Sequence, residues 1–129
     1  MTLLTSLIIA FSLAQAAGID GRYSGTWSSD SSGQNGKIHL VLKTGPDALS
    51  ASAVTFTLDG AEVKTRMRSL EVEGARAEFS YEFQVDGTSL ISKLNGTREG
   101  KTLAGTYRTT TADGATRVDE GAFRSTAEQ

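Results

Sequence analysis

Residues 79–94 read FSYEFQVDGTSLISKL, and this stretch decides the fold. Apolar and polar side chains alternate on both sides of Asp86-Gly87, which is the period of a half-buried β-strand. An Asp-Gly pair suits a two-residue type I′ turn, because both central residues of that turn need a positive φ. The stretch therefore predicts a β-hairpin. Three pairs of residues then share its inner face: Phe83 with Leu90, Tyr81 with Ser92, and Phe79 with Leu94.

Similar turn signals recur every 13 or 14 residues from the middle of the chain onward, as an acidic residue followed by glycine: Asp59-Gly60, Glu73-Gly74, Asp86-Gly87, Glu99-Gly100 and Asp113-Gly114. Earlier turns are predicted at 33–36 and 44–47. The segments between the turns predict eight strands near residues 22–28, 37–43, 52–58, 62–72, 76–85, 88–97, 101–108 and 116–124. We expect an all-β fold, an eight-stranded antiparallel up-and-down (meander) barrel, because pairing of the first and last strands removes both exposed edges.

The predicted strand 62–72 contains a break in its alternation. Apolar positions up to Met67 are out of phase with those from Leu70 onward. One extra residue near Arg68-Ser69, a β-bulge, restores the phase. With that bulge, we expect Met67 to lie opposite Phe79.

One inward-facing layer of the predicted barrel is polar. The bulge places Thr65 opposite Tyr81, and the turn at Glu99-Gly100 places Tyr107 opposite Ser92. Phe79 and Phe83 border these four hydroxyl groups. A small-ligand site combines an apolar wall with a few convergent polar groups. The predicted ligand-binding residues are therefore Thr65, Tyr81, Ser92, Tyr107, Phe79 and Phe83. In the alternative interpretation, the hydroxyls only satisfy one another within a filled barrel.

The first 17 residues predict a signal peptide. Residues 3–13 form an apolar run that is short for a bilayer span, and the small residues up to Ala16 and Ala17 form a cleavage pattern. An uncleaved membrane anchor is the alternative. Residues 18–129 then form a single β-barrel domain. The chain has no cysteine, which favours a secreted or periplasmic bacterial protein over a disulfide-rich eukaryotic one.

Composition argues against several classes of function. The net charge of -2 gives no field for nucleic acid, and the absence of cysteine removes thiolate metal sites and thiol nucleophiles. His39, the only histidine, alternates with inward residues and so points outward. Asp119 and Glu120 are neighbours on one strand and point to opposite faces, so they cannot act as a catalytic pair. No catalytic residues, metal site or cofactor are predicted.

Gly25-Thr26-Trp27 on the first strand and Arg124 on the last strand resemble the pattern of the calycins, the barrel group that includes lipocalins and avidins. Gly-Thr-Tyr at 105–107 also looks like an avidin segment. The resemblance implies a ligand-binding barrel in which Trp27 and Arg124 have a structural role at the closed end. The chain lacks the several tryptophans of avidins and the paired arginines of fatty-acid-binding proteins, which argues against biotin and long fatty acids.

These observations predict an exported binding module that is not an enzyme and that takes one small, mostly apolar ligand in the barrel lumen. The alternative is a structural or protein-interaction accessory domain of the bacterial envelope, with a filled barrel. An exposed apolar patch would distinguish that alternative, and Val41 and Ile91 are its candidates. We expect no stable membrane insertion. The oligomeric state is left open.

Overall fold

The computed structural model describes residues 18–128, and the predicted signal peptide lies outside the described residues. Within this part, one short helix, α1 (Ala48–Ala51), accompanies nine strands: β1 (Gly21–Ser29), β2 (Asn35–Leu42), β3 (Ala53–Leu58), β4 (Ala61–Lys64), β5 (Arg66–Glu73), β6 (Arg76–Val85), β7 (Thr88–Glu99), β8 (Thr102–Thr111) and β9 (Arg117–Ala127). None of the helices in residues 18–128 has the length and apolar character that a bilayer crossing requires.

The strands form one antiparallel up-and-down sheet that is curled into a half-barrel. Its order is β4-β3-β2-β1-β9-β8-β7-β6-β5, so the first and last strands pair as predicted. The described strands number nine instead of the predicted eight, because the predicted strand 62–72 is divided at Thr65. Its first part pairs with β3 and its second part pairs with β6. At the division, the Thr65 hydroxyl donates a hydrogen bond to the Val54 carbonyl at 2.6 Å.

Two of the three predicted Asp-Gly turns, those at Asp59 and Asp86, have the predicted geometry, whereas Asp113 does not adopt a positive φ. Asp59 and Asp86 adopt positive φ angles of 53° and 51°, and they are the non-glycine residues with positive φ in the described chain. The short polar side chain of aspartate tolerates this left-handed conformation. As a result, the three predicted pairs between β6 and β7 are all confirmed.

The Glu-Gly turns were wrongly placed by one residue. Glu73 pairs with Arg76, and Glu99 pairs with Thr102, so each glutamate ends a strand and the following glycine begins the turn. Aspartate has a short side chain that can hydrogen-bond to the nearby backbone and so tolerates a positive φ. The longer glutamate side chain does not, which explains why the turn forms one residue later. The pairing moves by two residues, so each side chain keeps its predicted face but meets a different partner.

The predicted bulge is confirmed. The β5–β6 register shifts between Met67 and Ser69, and Met67 lies opposite Tyr81 instead of Phe79 because of the displaced turn. A second irregularity lies between β8 and β9. Thr109 pairs with Asp119 and Thr110 with Arg117, which leaves Val118 as the extra residue.

The end of the sheet where β1 begins is filled. Ile19 and Tyr23 are fully buried, and the Tyr23 hydroxyl donates to the Ile19 carbonyl at 2.6 Å. The Arg98 guanidinium lies 5.5 Å from the centroid of the Tyr23 ring and donates both to the Tyr23 hydroxyl and to the Gly18 carbonyl. The residues just after the predicted cleavage point therefore complete this end of the core.

Candidate functional site

The opposite end of the half-barrel contains a cavity of about 250 Å³. The antiparallel order brings the β1–β2, β3–β4, β6–β7 and β8–β9 connections to this end. Exposed residues form the rim: Ser31, Ser32 and Gln34 of the β1–β2 connection, and Val118 near the start of β9. The cavity therefore has an accessible mouth at one end and a packed core below it.

The cavity wall is mainly apolar and aromatic. Phe56 packs edge-on against Phe83, with ring centroids 5.0 Å apart, and against Trp27 at 6.3 Å. Trp27 is held in place by its indole N–H, which donates to the Thr57 carbonyl at 3.0 Å. The other apolar lining residues are Ile38, Leu58, Val85, Leu90, Leu94, Val118 and Phe123.

A first group of polar side chains lies in the wall below the rim. The hydroxyl oxygens of Ser92 and Thr109, on facing strands, are 2.5 Å apart and share a hydrogen bond. Tyr81 faces Ser92 across the β6–β7 ladder and is almost fully buried. This burial raises the pKa of the Tyr81 phenol well above its ordinary value. Tyr81 is therefore a neutral hydroxyl group at ordinary pH.

A second polar group lies at the rim and is centred on Asp119. Its carboxylate accepts a hydrogen bond from the Tyr107 hydroxyl at 2.8 Å and another from the Ser29 hydroxyl at 2.6 Å. The Ser29 oxygen in turn accepts the backbone N–H groups of Ser31 and Ser32. Burial raises the pKa of the Tyr107 phenol, and the hydrogen bond to Asp119 and its negative charge raise it further. These hydrogen bonds connect the β1–β2 loop at the rim, through Ser29 and Asp119, to strands β8 and β9.

Four of the six predicted ligand-binding residues line the cavity: Tyr81, Ser92, Tyr107 and Phe83. Thr65 does not, because it lies where β4 passes into β5 and its hydroxyl is bonded to the backbone. Phe79 is fully buried and packs against Phe123, with ring centroids 6.4 Å apart. The predicted row of four hydroxyls is therefore wrong. The displaced turn puts Thr109, and not Tyr107, opposite Ser92.

Thr109 and Asp119 line the cavity but are not among the residues predicted from the sequence. Asp119 and Glu120 lie on opposite faces as predicted, and Asp119 is the one that faces the cavity. Trp27 was expected in a structural role at the closed end, but it lies at the end that contains the cavity, where it forms part of the wall and its indole N–H donates a hydrogen bond.

Arg124 does not accompany Trp27. It is exposed and pairs with Thr26, whose side chain lies on the face opposite to Trp27. A different arginine, Arg98, covers an aromatic ring at the filled end, where it lies over Tyr23. The alternation of side chains along β1 and β9 explains the difference, because Phe123 is the residue opposite Trp27.

Comparison with known proteins found no similarity: no protein family, curated protein or solved structure matches the chain. Across residues 18–128, no three His, Asp or Glu side chains come close enough to form a metal site. The chemistry of the site is therefore inferred from the cavity residues themselves.

Proposed function

We propose that this protein is an exported, calycin-like binding module that holds one compact, mostly apolar molecule in the cavity. The observation that carries the proposal is the cavity of about 250 Å³, with aromatic and aliphatic walls and two separate polar groups. Small-molecule sites have this composition, because apolar walls supply affinity and a few polar groups fix orientation. Cleavage of residues 1–17 and release to the periplasm or the medium belong to the same proposal.

The cavity volume limits the size of the ligand. An engineered apolar cavity of about 150 Å³ holds benzene. By that measure, a space of about 250 Å³ takes a molecule of roughly ten non-hydrogen atoms. A single-ring compound suits this volume, whereas a long fatty acid would have to extend far beyond the rim.

The alternative, an accessory interaction domain, has weaker support. Its candidate patch residues, Val41 and Ile91, are both partly buried. The large apolar side chains that are exposed in the described chain are Leu49, in α1, and Val118, at the cavity rim. The β2–β3 connection that holds α1 lies at the filled end, so these two residues do not form one patch.

The proposal contains no catalytic step. His39 lies on the outer side, where its ring bonds to the Ser24 hydroxyl at 3.0 Å, and it is not among the residues that line the cavity. The cavity hydroxyls of Ser92 and Thr109 bond to each other, with no histidine or lysine among the described lining residues to act as a base. Binding alone accounts for the residues present.

The test uses benzyl alcohol as a probe and a matched pair of variants. Val85→Phe adds a ring at a residue that lines the cavity, whereas Gln84→Phe adds the same ring at its exposed neighbour on the opposite face. Trp27 is the only tryptophan of the chain and lines the cavity, so its fluorescence and its indole NMR signal report on the cavity directly. We expect the probe to perturb both signals in the wild type and in Gln84→Phe, and to bind several-fold more weakly to Val85→Phe. Equal binding of the probe by all three proteins would reject the cavity as its binding site.

A further inference from the structure

The charge of the cavity is concentrated in one residue. Among the described residues that line it, Asp119 is the one that carries a formal charge, and no lysine, arginine or histidine is present in the lining. An isolated negative charge in an otherwise uncharged site favours a positively charged partner and disfavours an anion.

The carboxylate of Asp119 is held in place by neutral groups only. Its two hydrogen bonds come from the Tyr107 and Ser29 hydroxyls, which satisfy one lone pair on each oxygen. Within residues 18–128, no cationic side chain forms an ion pair with it. The nearby arginines, Arg108 and Arg117, both interact with Glu120 on the outer face. The negative charge at the rim is therefore positioned but not neutralised.

Aromatic rings line the same cavity as this carboxylate. The Trp27 and Tyr107 rings meet edge to face at 6.2 Å, and Phe56 and Phe83 continue the aromatic wall. The faces of aromatic rings attract cations, and the attraction grows when water is excluded. By contrast, the Ser92 and Thr109 hydroxyls already bond to each other, so they leave less unmet hydrogen-bonding capacity than Asp119 does.

We propose that the ligand is a small organic cation, an amine with a compact apolar body, whose ammonium group binds Asp119 at the rim while its body enters the aromatic cavity. This inference rests on the proposed binding function and names the ligand class for the same site. The ammonium would take the free lone pairs of the carboxylate. A carboxylate ligand of the same shape would meet a like charge at the rim and be rejected.

The experiment compares three probes of closely similar shape: benzylamine, benzyl alcohol and benzoate. Their binding to the full mature protein is followed by Trp27 fluorescence and by NMR of the indole N–H. We expect benzylamine to bind most tightly and benzoate most weakly. This comparison needs no substitution, so it tests the inference even if a variant of Asp119 fails to fold.

A matched pair of variants tests the assignment to Asp119. Asp119→Asn removes the charge but keeps an oxygen acceptor for one of the two hydroxyls, whereas Glu120→Gln removes the same charge from the outer face one residue away. We expect Asp119→Asn to weaken benzylamine binding by about ten-fold, the low end for a charged hydrogen bond because the carboxylate is partly exposed. Benzyl alcohol binding to Asp119→Asn, and benzylamine binding to Glu120→Gln, should change by less than about two-fold.

Two results would overturn the inference, and they differ in what else they overturn. If benzyl alcohol or benzoate binds as tightly as benzylamine, or if Asp119→Asn folds and binds benzylamine normally, the cation preference is wrong while the binding function stands. If none of the three probes binds in the cavity, the proposed function fails and this inference fails with it.

Discussion

Raising the pH above about 10 is expected to unfold the protein through its tyrosines. The chain has three tyrosines, and burial raises the pKa of each of them: Tyr23, Tyr81 and Tyr107. For Tyr23, burial outweighs the opposing effect of the Arg98 cation. The folded protein therefore resists forming tyrosinate at every tyrosine that it has.

The direction of the effect follows from proton linkage. Below the unfolded-state pKa of about 10, both the folded and the unfolded chain keep the phenolic proton, so stability does not depend on these groups. Above it, the unfolded chain releases protons that the folded chain retains. The free energy of unfolding then falls by about 1.4 kcal/mol per pH unit for each tyrosine, and this fall continues only until the pH reaches that tyrosine's pKa in the folded chain. Since domains are stable by about 5–15 kcal/mol, unfolding is expected within a few pH units above 10.

The assay is a pH titration followed by tyrosinate absorbance and by far-ultraviolet circular dichroism. We expect the absorbance to rise only together with loss of the β-sheet signal, in one cooperative step. The Tyr81→Phe variant keeps the ring and loses one titrating group, so its stability should fall less steeply with pH, by about 1.4 kcal/mol per unit. A tyrosinate signal that appears near pH 10 while the sheet signal is intact would refute the reasoning, because it would place a tyrosine in water.

Three further predictions concern a buried hydrogen bond, a close approach of two strands and the processing of the chain. Thr109→Val leaves the buried Ser92 hydroxyl without its partner and should lower the free energy of unfolding by about 1–3 kcal/mol. Adding Ser92→Ala to this variant should recover part of the loss. Strictly additive losses in denaturant titrations would contradict the shared hydrogen bond. Gly105→Ala would place its new methyl group against the facing backbone of β7 and should destabilise the fold by about 1–3 kcal/mol or more. An unchanged thermal midpoint would show that β7 and β8 approach less closely than described. Intact mass spectrometry of the exported protein should show cleavage after Ala16 or Ala17, and recovery of the uncleaved chain from membranes would reject export as a processed protein.

Local sequence signals were most reliable where a turn has strict conformational needs. The Asp-Gly turn at Asp86 requires positive φ at its first residue, and aspartate supplies it. That single turn determines the register of the β6–β7 hairpin, so every predicted pair between these two strands is confirmed. The alternation of side chains likewise predicted the bulge near Arg68, because one inserted residue is enough to reverse the inward and outward faces within a strand.

The predicted turn positions were wrong where glutamate, and not aspartate, precedes the glycine. The displaced turn after Glu99 moved the β7–β8 pairing by two residues, which preserved the inward face of Tyr107 but brought it opposite Leu94. Inside and outside could therefore be predicted from alternation alone. The pairs of hydroxyl groups that face each other could not be predicted in this way, because a difference of one residue in the turn changes every partner along the ladder.

The sequence by itself determined the all-β class, the order of the strands along the chain and the face of most side chains, since these follow from alternation and turn chemistry within a few residues. Only the tertiary structure decided the division of one strand at Thr65 and the meeting of Asp119 with Ser29, which lie 90 positions apart. It also decided that the half-barrel is filled at the Tyr23 end and hollow at the Trp27 end. Such features depend on how far the sheet curls and on which side chains then meet across it, and no local sequence pattern encodes the curvature of the sheet.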